Sequence, residues 1–262
     1  MDIPASGAPA FDPLAAFRLD GRVALVTGAS SGLGDRFARV LRAAGANVVI
    51  AARRAERLQK LAADIDAVAV ACDVADDTQC AALVDATVAR FGRLDILVNN
   101  AGVGVPVAAE TESADHFRQT VAVNLTAAFV LAQLAGRQML EQGTGSIVNV
   151  VSMLGLVGAG QIPFPSYTAS KGGLVNLTRE LAAEWGRRGV RVNALAPGWF
   201  ESEMTAEMFA DEQSMKWVRR KAPMGRGGLP HELDGALLFL AGDASSYVTG
   251  QVVVVDGGWT AV

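Results

Sequence analysis

Cysteine, histidine and tyrosine are scarce in this sequence, and positive charge does not exceed negative charge. Its 262 residues include 2 cysteines and 2 histidines, which lack the spacing of metal ligands, so we expect no metal site. The formal net charge of −4 argues against a nucleic-acid partner, because such proteins usually present a basic surface. Cys72 and Cys80 form no disulfide framework, which is typical of a reduced, cytoplasmic protein.

We also expect no membrane-spanning run and no leader peptide. No apolar run approaches the ~20 residues of a membrane-spanning helix, so we expect no membrane partner. Residues 1–20 contain three prolines and no basic stretch before an apolar core, unlike a secretory signal. We predict a flexible N-terminal arm over residues 1–20 and a single domain over residues 21–262.

Strand-like runs of β-branched and small apolar residues alternate with helical patterns along the chain. The predicted strands are 22–27, 47–51, 67–72, 94–99, 146–151, 190–195 and 252–255. The predicted helices are 33–44, 55–64, 76–91, 114–142, 166–187 and 230–241. Because this alternation produces right-handed βαβ units, we predict an α/β fold with one doubly wound Rossmann-type domain and a parallel sheet. Ligands of such sheets bind at the carboxyl ends of the strands.

A glycine-rich turn follows the first predicted strand and precedes a helix, the context in which such a turn binds a dinucleotide. Gly28 permits the tight turn, Gly32 lets a pyrophosphate approach the backbone, and Gly34 lets the helix pack close to the strand. Amides at the helix N-terminus then bind the phosphates. The other predicted cofactor contacts in this loop are Ser30, Ser31 and Leu33.

Tyr167 and Lys171 are four residues apart in a helical pattern, so their side chains share one helix face. A free tyrosine ionises near pH ~10, and a neighbouring ammonium favours the phenolate and lowers that pKa. The hydroxyl of Ser152 can hold a substrate oxygen against the phenol. This arrangement is suited to proton transfer, although the same spacing also occurs on ordinary helix surfaces.

The order of these motifs along the chain resembles that of the short-chain dehydrogenase/reductase family. The resemblance rests on 27–34, Asn99-Asn100-Ala101-Gly102, Asn124, Ser152, Tyr167 with Lys171, and Pro197-Gly198. It extends from about Arg22 to about Gly258. It implies a seven-stranded sheet in the order 3-2-1-4-5-6-7 and a reaction that moves a hydride between a nicotinamide cofactor and a ketone or secondary alcohol.

The resemblance also implies a role for each of four catalytic residues. Tyr167 is the general acid/base, Lys171 lowers its pKa and binds the nicotinamide ribose, and Ser152 orients the carbonyl. Asn124 bends its helix and holds a water that connects Lys171 to solvent; an asparagine bonded back to its own helix is the alternative. A non-catalytic dinucleotide sensor would be expected to lack at least one of the four, and all four are present.

The choice between NADP(H) and NAD(H) depends on the end of the second strand. Ala52 stands where an acid would bind the adenosine ribose, and Arg53 and Arg54 follow it. Because an arginine suits a phosphate, we predict NADP(H), with NAD(H) as the alternative. Arg54 can equally begin a solvated helix with Arg57.

The resemblance implies further cofactor contacts from the ends of later strands. These are Asp73, Val74, Asn100, Ala101, Gly102, Pro197 and Gly198. Asp73 would contact the adenine amino group, and Asn99 and Ala101 would lie along the adenosine ribose. Ser202 or Thr205 would reach the carboxamide.

The resemblance implies a mobile lid over the substrate at residues 198–226, a segment rich in methionine and aromatic side chains. Such residues are usually core, but here they favour a small-molecule ketone or alcohol of apolar or mixed character. Arg219, Arg220 and Lys221 can instead bind the phosphate of coenzyme A or of an acyl carrier protein, so a 3-oxoacyl-thioester reductase is the alternative; a solvated surface is the simpler interpretation of these three residues. The resemblance also implies a homotetramer whose subunits meet through helices 114–142 and 166–187.

Overall fold

Short runs of β-branched and small apolar residues form the strands of one parallel sheet. The structure, a computed structural model, describes residues 12–262. The strands are β1 Val23–Thr27, β2 Asn47–Ala52, β3 Val68–Ala71, β4 Ile96–Asn99, β5 Gly145–Val150, β6 Val190–Pro197 and β7 Val252–Val255. They pair in parallel in the order β3-β2-β1-β4-β5-β6-β7. This confirms the predicted fold class and strand order.

Helices cover both faces of the sheet. They are α1 Gly32–Ala43, α2 Ala55–Ile65, α3 Asp77–Phe91, α4 Ala114–Val121, α5 Ala127–Gln142, α6 Pro165–Trp185, α7 Ala206–Ala210, α8 Glu212–Lys221 and α9 Asp234–Ala241. Successive side chains of a strand point to opposite faces. Ala24 and Val26 therefore join the core beside α1 and α9, while Val23 and Leu25 join the core beside α3 and α5. Burial on both faces explains why β1 reads as a continuous apolar run.

The predicted helix over residues 114–142 is interrupted by a π-helical turn, Ala122–Thr126, between α4 and α5. Taken as one helix, Ala114–Gln142 is long and apolar enough to span a membrane, and an 18-residue window within it has a mean hydropathy of 1.3. This differs from the expectation that no run of such length is present. Within the protein, 44% of that 18-residue window is buried. The buried face of α5 packs on β4 and β5, as a core helix of this kind of sheet does.

The described chain begins against the body of the protein. Ala15–Phe17 forms a single helical turn, and the side chain of Leu19 is buried in the core beside α1. Residues 1–11 of the predicted arm lie outside the described residues. Cys72 and Cys80 are buried free cysteines.

Candidate active site

A cleft of about 460 Å³ opens at the carboxyl edge of the sheet, where parallel strands place the residues that follow them. It gathers side chains from loops that lie far apart in the sequence. The predicted site residues that line it are Gly28, Ser30, Ser31, Gly32, Leu33, Gly34, Arg53, Asp73, Val74, Asn100, Ala101, Gly102, Ser152, Tyr167, Lys171, Pro197 and Gly198. Asn124 does not line the cleft, but its side chain forms hydrogen bonds to the backbone of Val103, which does.

The glycine turn is packed too closely for side chains at two positions. A Cβ on Gly28 would lie 2.8 Å from Ala101 Cα, and one on Gly34 would lie 2.3 Å from the carbonyl oxygen of Gly28. Gly28 also has a φ of 67°, which favours glycine. The backbone at this turn is therefore bare, and the N-terminus of α1 faces the cleft as an anion-binding end.

Thr27 and Asn100 join the glycine turn to the end of β4. The Oγ1 of Thr27 accepts hydrogen bonds from the amides of Asn100 and Ala101, both at 3.1 Å. The Nδ2 of Asn100 donates to the carbonyl of Thr27 at 2.9 Å. These bonds fix the relative position of two loops that a dinucleotide would contact together.

Asn99, in contrast, is not part of the cleft. It was expected along the adenosine ribose, but it is buried, and its Nδ2 donates to the carbonyl of Ala128 and to Asn149 Oδ1, both at 3.0 Å. As the last residue of β4, it points into the sheet's helical cover, and Asn100 beyond the strand faces the cleft instead.

Lys171 brings a buried amine to the floor of the cleft. It lies one turn beyond Tyr167 on α6, and its Nζ donates to the carbonyl of Val150 at the end of β5, at 2.8 Å. Burial lowers the pKa of Lys171 to about 8. Its Nζ lies 5.8 Å from the centre of the Tyr167 ring.

Tyr167 shares the floor with Ser152, which follows β5. Burial raises the pKa of Tyr167, and a hydrogen bond from the Ser152 hydroxyl opposes that effect. The net direction is the reverse of the lowering expected from Lys171, because loss of water outweighs the favourable contacts of the phenolate. The phenol is therefore neutral at ordinary pH and holds a proton that it can donate.

Asn124 occupies the π-helical turn and reaches across to the strand-end loop. Its Oδ1 accepts from the amide of Val103, and its Nδ2 donates to the carbonyl of Val103, both at 2.8 Å. The same Nδ2 donates to Ser170 Oγ at 3.1 Å. The side chain thus bonds to two other segments and not back to its own helix, and it ties α6 to the loop beside Gly102.

The far end of the cleft carries the arginines that follow β2. Arg54 donates from Nε to Ser30 Oγ at 3.0 Å and from Nη2 to Ser31 Oγ at 2.7 Å. Arg53 is exposed, lines the cleft and has no hydrogen-bond partner among residues 12–262. Arg54, which the sequence left open as a solvated helix start, is therefore attached to the glycine turn.

The loop between β6 and α7 crosses the mouth of the cleft. A Cβ on Gly32 would lie 3.3 Å from Ser202 Cβ, and one on Gly104 would lie 3.5 Å from Met204 Sδ. The Oγ1 of Thr205 donates to the carbonyl of Phe200 at 2.6 Å, which stiffens the loop. Both Ser202 and Thr205 line the cleft, as a contact with the nicotinamide end requires.

Most aromatic side chains of the predicted lid belong to a core cluster and not to the cleft. Trp217 packs edge-on against Trp259, with ring centres 4.8 Å apart, and Trp199 lies 5.8 Å from both rings. Of the methionines, Met204 is half-exposed and faces the cleft. Arg219 is paired with Glu212 and does not line the cleft.

Glu203 is a site residue that the sequence did not identify. It stands on the crossing loop and forms ion pairs with Arg54, at 2.8 Å, and with Arg57. No motif signals this pairing, because the partners are about one hundred and fifty positions apart in the chain.

The fold and the cleft together define a doubly wound α/β protein in which a bare glycine turn, a helix N-terminus and arginines fit a phosphorylated dinucleotide. Residues 28–260 match the sequence profile of the family described as enoyl-(acyl carrier protein) reductase. D-threitol dehydrogenase of Mycolicibacterium smegmatis is 41% identical over 249 residues, which cover 93% of this chain and 95% of that protein. Galactitol 2-dehydrogenase (L-tagatose-forming) of Cereibacter sphaeroides is 44% identical over 247 residues, 93% of this chain and 97% of that protein.

A solved structure is similar over the same span. The crystal structure of a gluconate 5-dehydrogenase from Burkholderia cenocepacia in complex with NADP and tartrate has a TM-score of 0.91 at 38% identity. It covers 96% of this chain and 100% of that one. This chain belongs to the short-chain dehydrogenase/reductase family.

Proposed function

We propose that this protein is an NADP(H)-dependent oxidoreductase that interconverts a secondary alcohol and a ketone. The observation that carries the proposal is the joining of Tyr167, Ser152 and Lys171 on the floor of a cleft whose other end is the glycine turn. A bound NADP(H) supplies the hydride chemistry that no side chain has. Among the described residues no group of metal-binding side chains was found.

The protein's own part of the reaction is proton transfer and orientation. Tyr167 is a neutral phenol and donates its proton to the substrate oxygen when a ketone is reduced. Ser152 holds that oxygen beside the phenol and stabilises the negative charge that develops on it. Lys171, whose ammonium has a pKa of about 8, keeps positive charge near the phenol during reduction.

NADP(H) is the proposed cofactor because the end of β2 offers positive charge and no carboxylate. Ala52 ends the strand, and Arg53 and Arg54 follow it at the cleft. Both guanidinium groups are of the kind that binds a phosphate monoester with two parallel hydrogen bonds. NAD(H) remains the alternative, because the glycine turn carries Ser30 and Ser31 and no basic side chain that would bind the extra phosphate of NADP(H).

The proposed substrate is a small secondary alcohol or its ketone, with a polyol as the first candidate. The curated relatives named above carry the names of polyol dehydrogenases. Phe164, whose ring centre is 5.6 Å from that of Tyr167, and Met204 add apolar surface beside the phenol. A 3-oxoacyl-thioester reductase is less well supported, because Arg219, Arg220 and Lys221 do not line the cleft.

We further propose a cytoplasmic homotetramer. Two free buried cysteines suit a reducing compartment. Phe117 on α4 and Phe129 on α5 are exposed in the single chain and would be covered by a neighbouring subunit.

The direct test is oxidation of a panel of alcohols by the purified enzyme, followed through the absorbance of reduced nicotinamide. We expect turnover of at least one polyol or simple secondary alcohol with NADP+, and less with NAD+. Reduction of an acyl-thioester ketone with no turnover of any free alcohol or ketone would replace the proposal by its alternative. The variant Tyr167→Phe controls for a contaminating dehydrogenase.

A further inference from the structure

An acidic side chain of the crossing loop lies inside a cluster of anion-binding groups. Glu203 pairs with Arg54, at 2.8 Å, and with Arg57. Arg54 also donates to the hydroxyl oxygens of Ser30 and Ser31. Two guanidinium groups and the serines of the glycine turn therefore converge on one carboxylate.

These partners keep the carboxylate charged. Hydrogen bonds from Arg54, Arg57 and Ser31 hold the pKa of Glu203 to about 2, well below its usual range. The side chains of Glu203 and Arg54 are 51% and 43% exposed, so water and salt weaken each ion pair. The contact is therefore strong enough to be populated and weak enough to be displaced by a better anion.

The position of the loop places this contact at the adenosine end of the cleft. Ser202 packs against Gly32 of the glycine turn, while Met204 faces Gly104 near the floor. Glu203 lies between them and points to the arginines that follow β2. No other carboxylate pairs with Arg54 or Arg57 within residues 12–262.

A phosphate monoester has the chemistry to replace this carboxylate. It carries about −1.5 to −2 charge near neutral pH and three acceptor oxygens, against one charge and two oxygens for Glu203. A dinucleotide without that phosphate offers the arginines that follow β2 only ribose hydroxyls at this end, because its pyrophosphate binds the glycine turn. When such a dinucleotide is bound, the loop therefore keeps its contact through Glu203.

We propose that Glu203 determines the discrimination between phosphorylated and unphosphorylated cofactor, because its carboxylate occupies the arginine cluster that a ribose 2′-phosphate requires. This inference rests on the proposed use of NADP(H). NADP(H) must displace Glu203 from the arginines before it can bind them, so the presence of Glu203 weakens NADP(H) binding. NAD(H) does not displace Glu203, so its binding is unaffected. Glu203 thus reduces the preference for NADP(H) over NAD(H), which would be larger if Arg53 and Arg54 acted alone.

The test compares Glu203→Gln with Glu201→Gln, a control on the same loop that forms no ion pair among the described residues. Each protein is titrated with NADPH and with NADH through nicotinamide fluorescence. We expect Glu203→Gln to tighten NADPH binding about three- to tenfold, the size of one or two exposed ion pairs, and to change NADH binding less than about twofold. Glu201→Gln should change neither.

A second titration removes the nicotinamide from the comparison. Adenosine 2′,5′-bisphosphate and adenosine 5′-monophosphate are measured by calorimetry, and only the first should bind more tightly to Glu203→Gln. The gain should shrink at high salt, because the competing contact is electrostatic.

Three results would overturn the inference. If NADPH and NADH both bound more tightly to the variant by the same factor, Glu203 would only hold the loop across the cleft and would not distinguish the two cofactors. Weaker NADH binding in the variant would mean that the carboxylate binds a ribose hydroxyl. Unchanged NADPH binding in a variant with the wild-type unfolding midpoint would remove Glu203 from cofactor choice. Wild-type protein that fails to bind NADPH would instead refute the proposed function, so the two failures are distinguishable.

Discussion

Lys171 carries a buried ammonium, and Lys171→Met is predicted to change the pH dependence of stability of the cofactor-free protein. The side chain is 3% exposed, and its one described hydrogen bond is to the carbonyl of Val150. Burial disfavours the charged form, so its pKa falls from 10.5 to about 8 on folding. Methionine has a similar length and no charge, so it removes the cost of burying an ammonium.

The size of the effect follows from the pKa. The drop from 10.5 to about 8 corresponds to about 3 kcal/mol, at about 1.4 kcal/mol per pH unit. Because the folded pKa is below the unfolded one, the cost is full below about pH 8 and disappears as pH rises to about 10.5. Loss of the hydrogen bond to Val150 costs about 1–3 kcal/mol at every pH. At about pH 7 the variant should therefore be as stable as the wild type or about 2 kcal/mol more stable.

The assay is urea unfolding of both proteins at about pH 7 and about pH 9.5, with Lys60→Met, an exposed lysine on α2, as the control. The difference in unfolding free energy between Lys171→Met and the wild type should fall by about 2 kcal/mol over that interval. Parallel pH dependences of the two proteins would refute the reasoning, because they would show that the amine keeps its ordinary pKa after folding.

Two further predictions concern the cofactor and the proton. Arg53→Asp should weaken NADPH binding by about tenfold or more and leave NADH binding little changed, because a carboxylate repels the 2′-phosphate; equal loss of both in fluorescence titrations would contradict the assignment. Ser152→Ala should lower kcat by about 10²-fold or more. Alcohol oxidation needs the phenolate of Tyr167 as the base, so its rate rises with pH as Tyr167 ionises. Because the hydrogen bond from Ser152 lowers the pKa of Tyr167, Ser152→Ala should move this rising limb to higher pH; a pH–rate profile that keeps its midpoint would count against that contact.

Local patterns predicted the fold because each strand of this sheet is buried on both faces. Continuous apolar runs such as Val23–Thr27 mark parallel strands, and the turns after them must meet at one edge. Gly28, Ser152 and Pro197 could therefore be placed at one edge before any contact was known, whereas the family resemblance placed Tyr167 and Lys171 beside them.

Contacts between distant segments could not be predicted in this way. The ion pair between Glu203 and Arg54 depends on how the loop after β6 lies on the glycine turn, which no periodicity encodes. Whether folding raises or lowers the pKa of Tyr167 depends on how much water the folded cleft excludes. The end of β4 was predicted correctly at Asn99, but the burial of Asn99 depends on how α5 packs against that strand, which the sequence does not show.

The most direct test of the proposed mechanism is to measure turnover and NADPH binding of Tyr167→Phe on the same preparation. Phenylalanine keeps the ring that packs near Phe164 and removes only the proton donor. We expect turnover to fall by about 10²-fold or more while the NADPH dissociation constant stays within about twofold of the wild-type value. Turnover retained at the wild-type rate with unchanged binding would contradict the assignment of Tyr167 as the acid and the mechanism built on it.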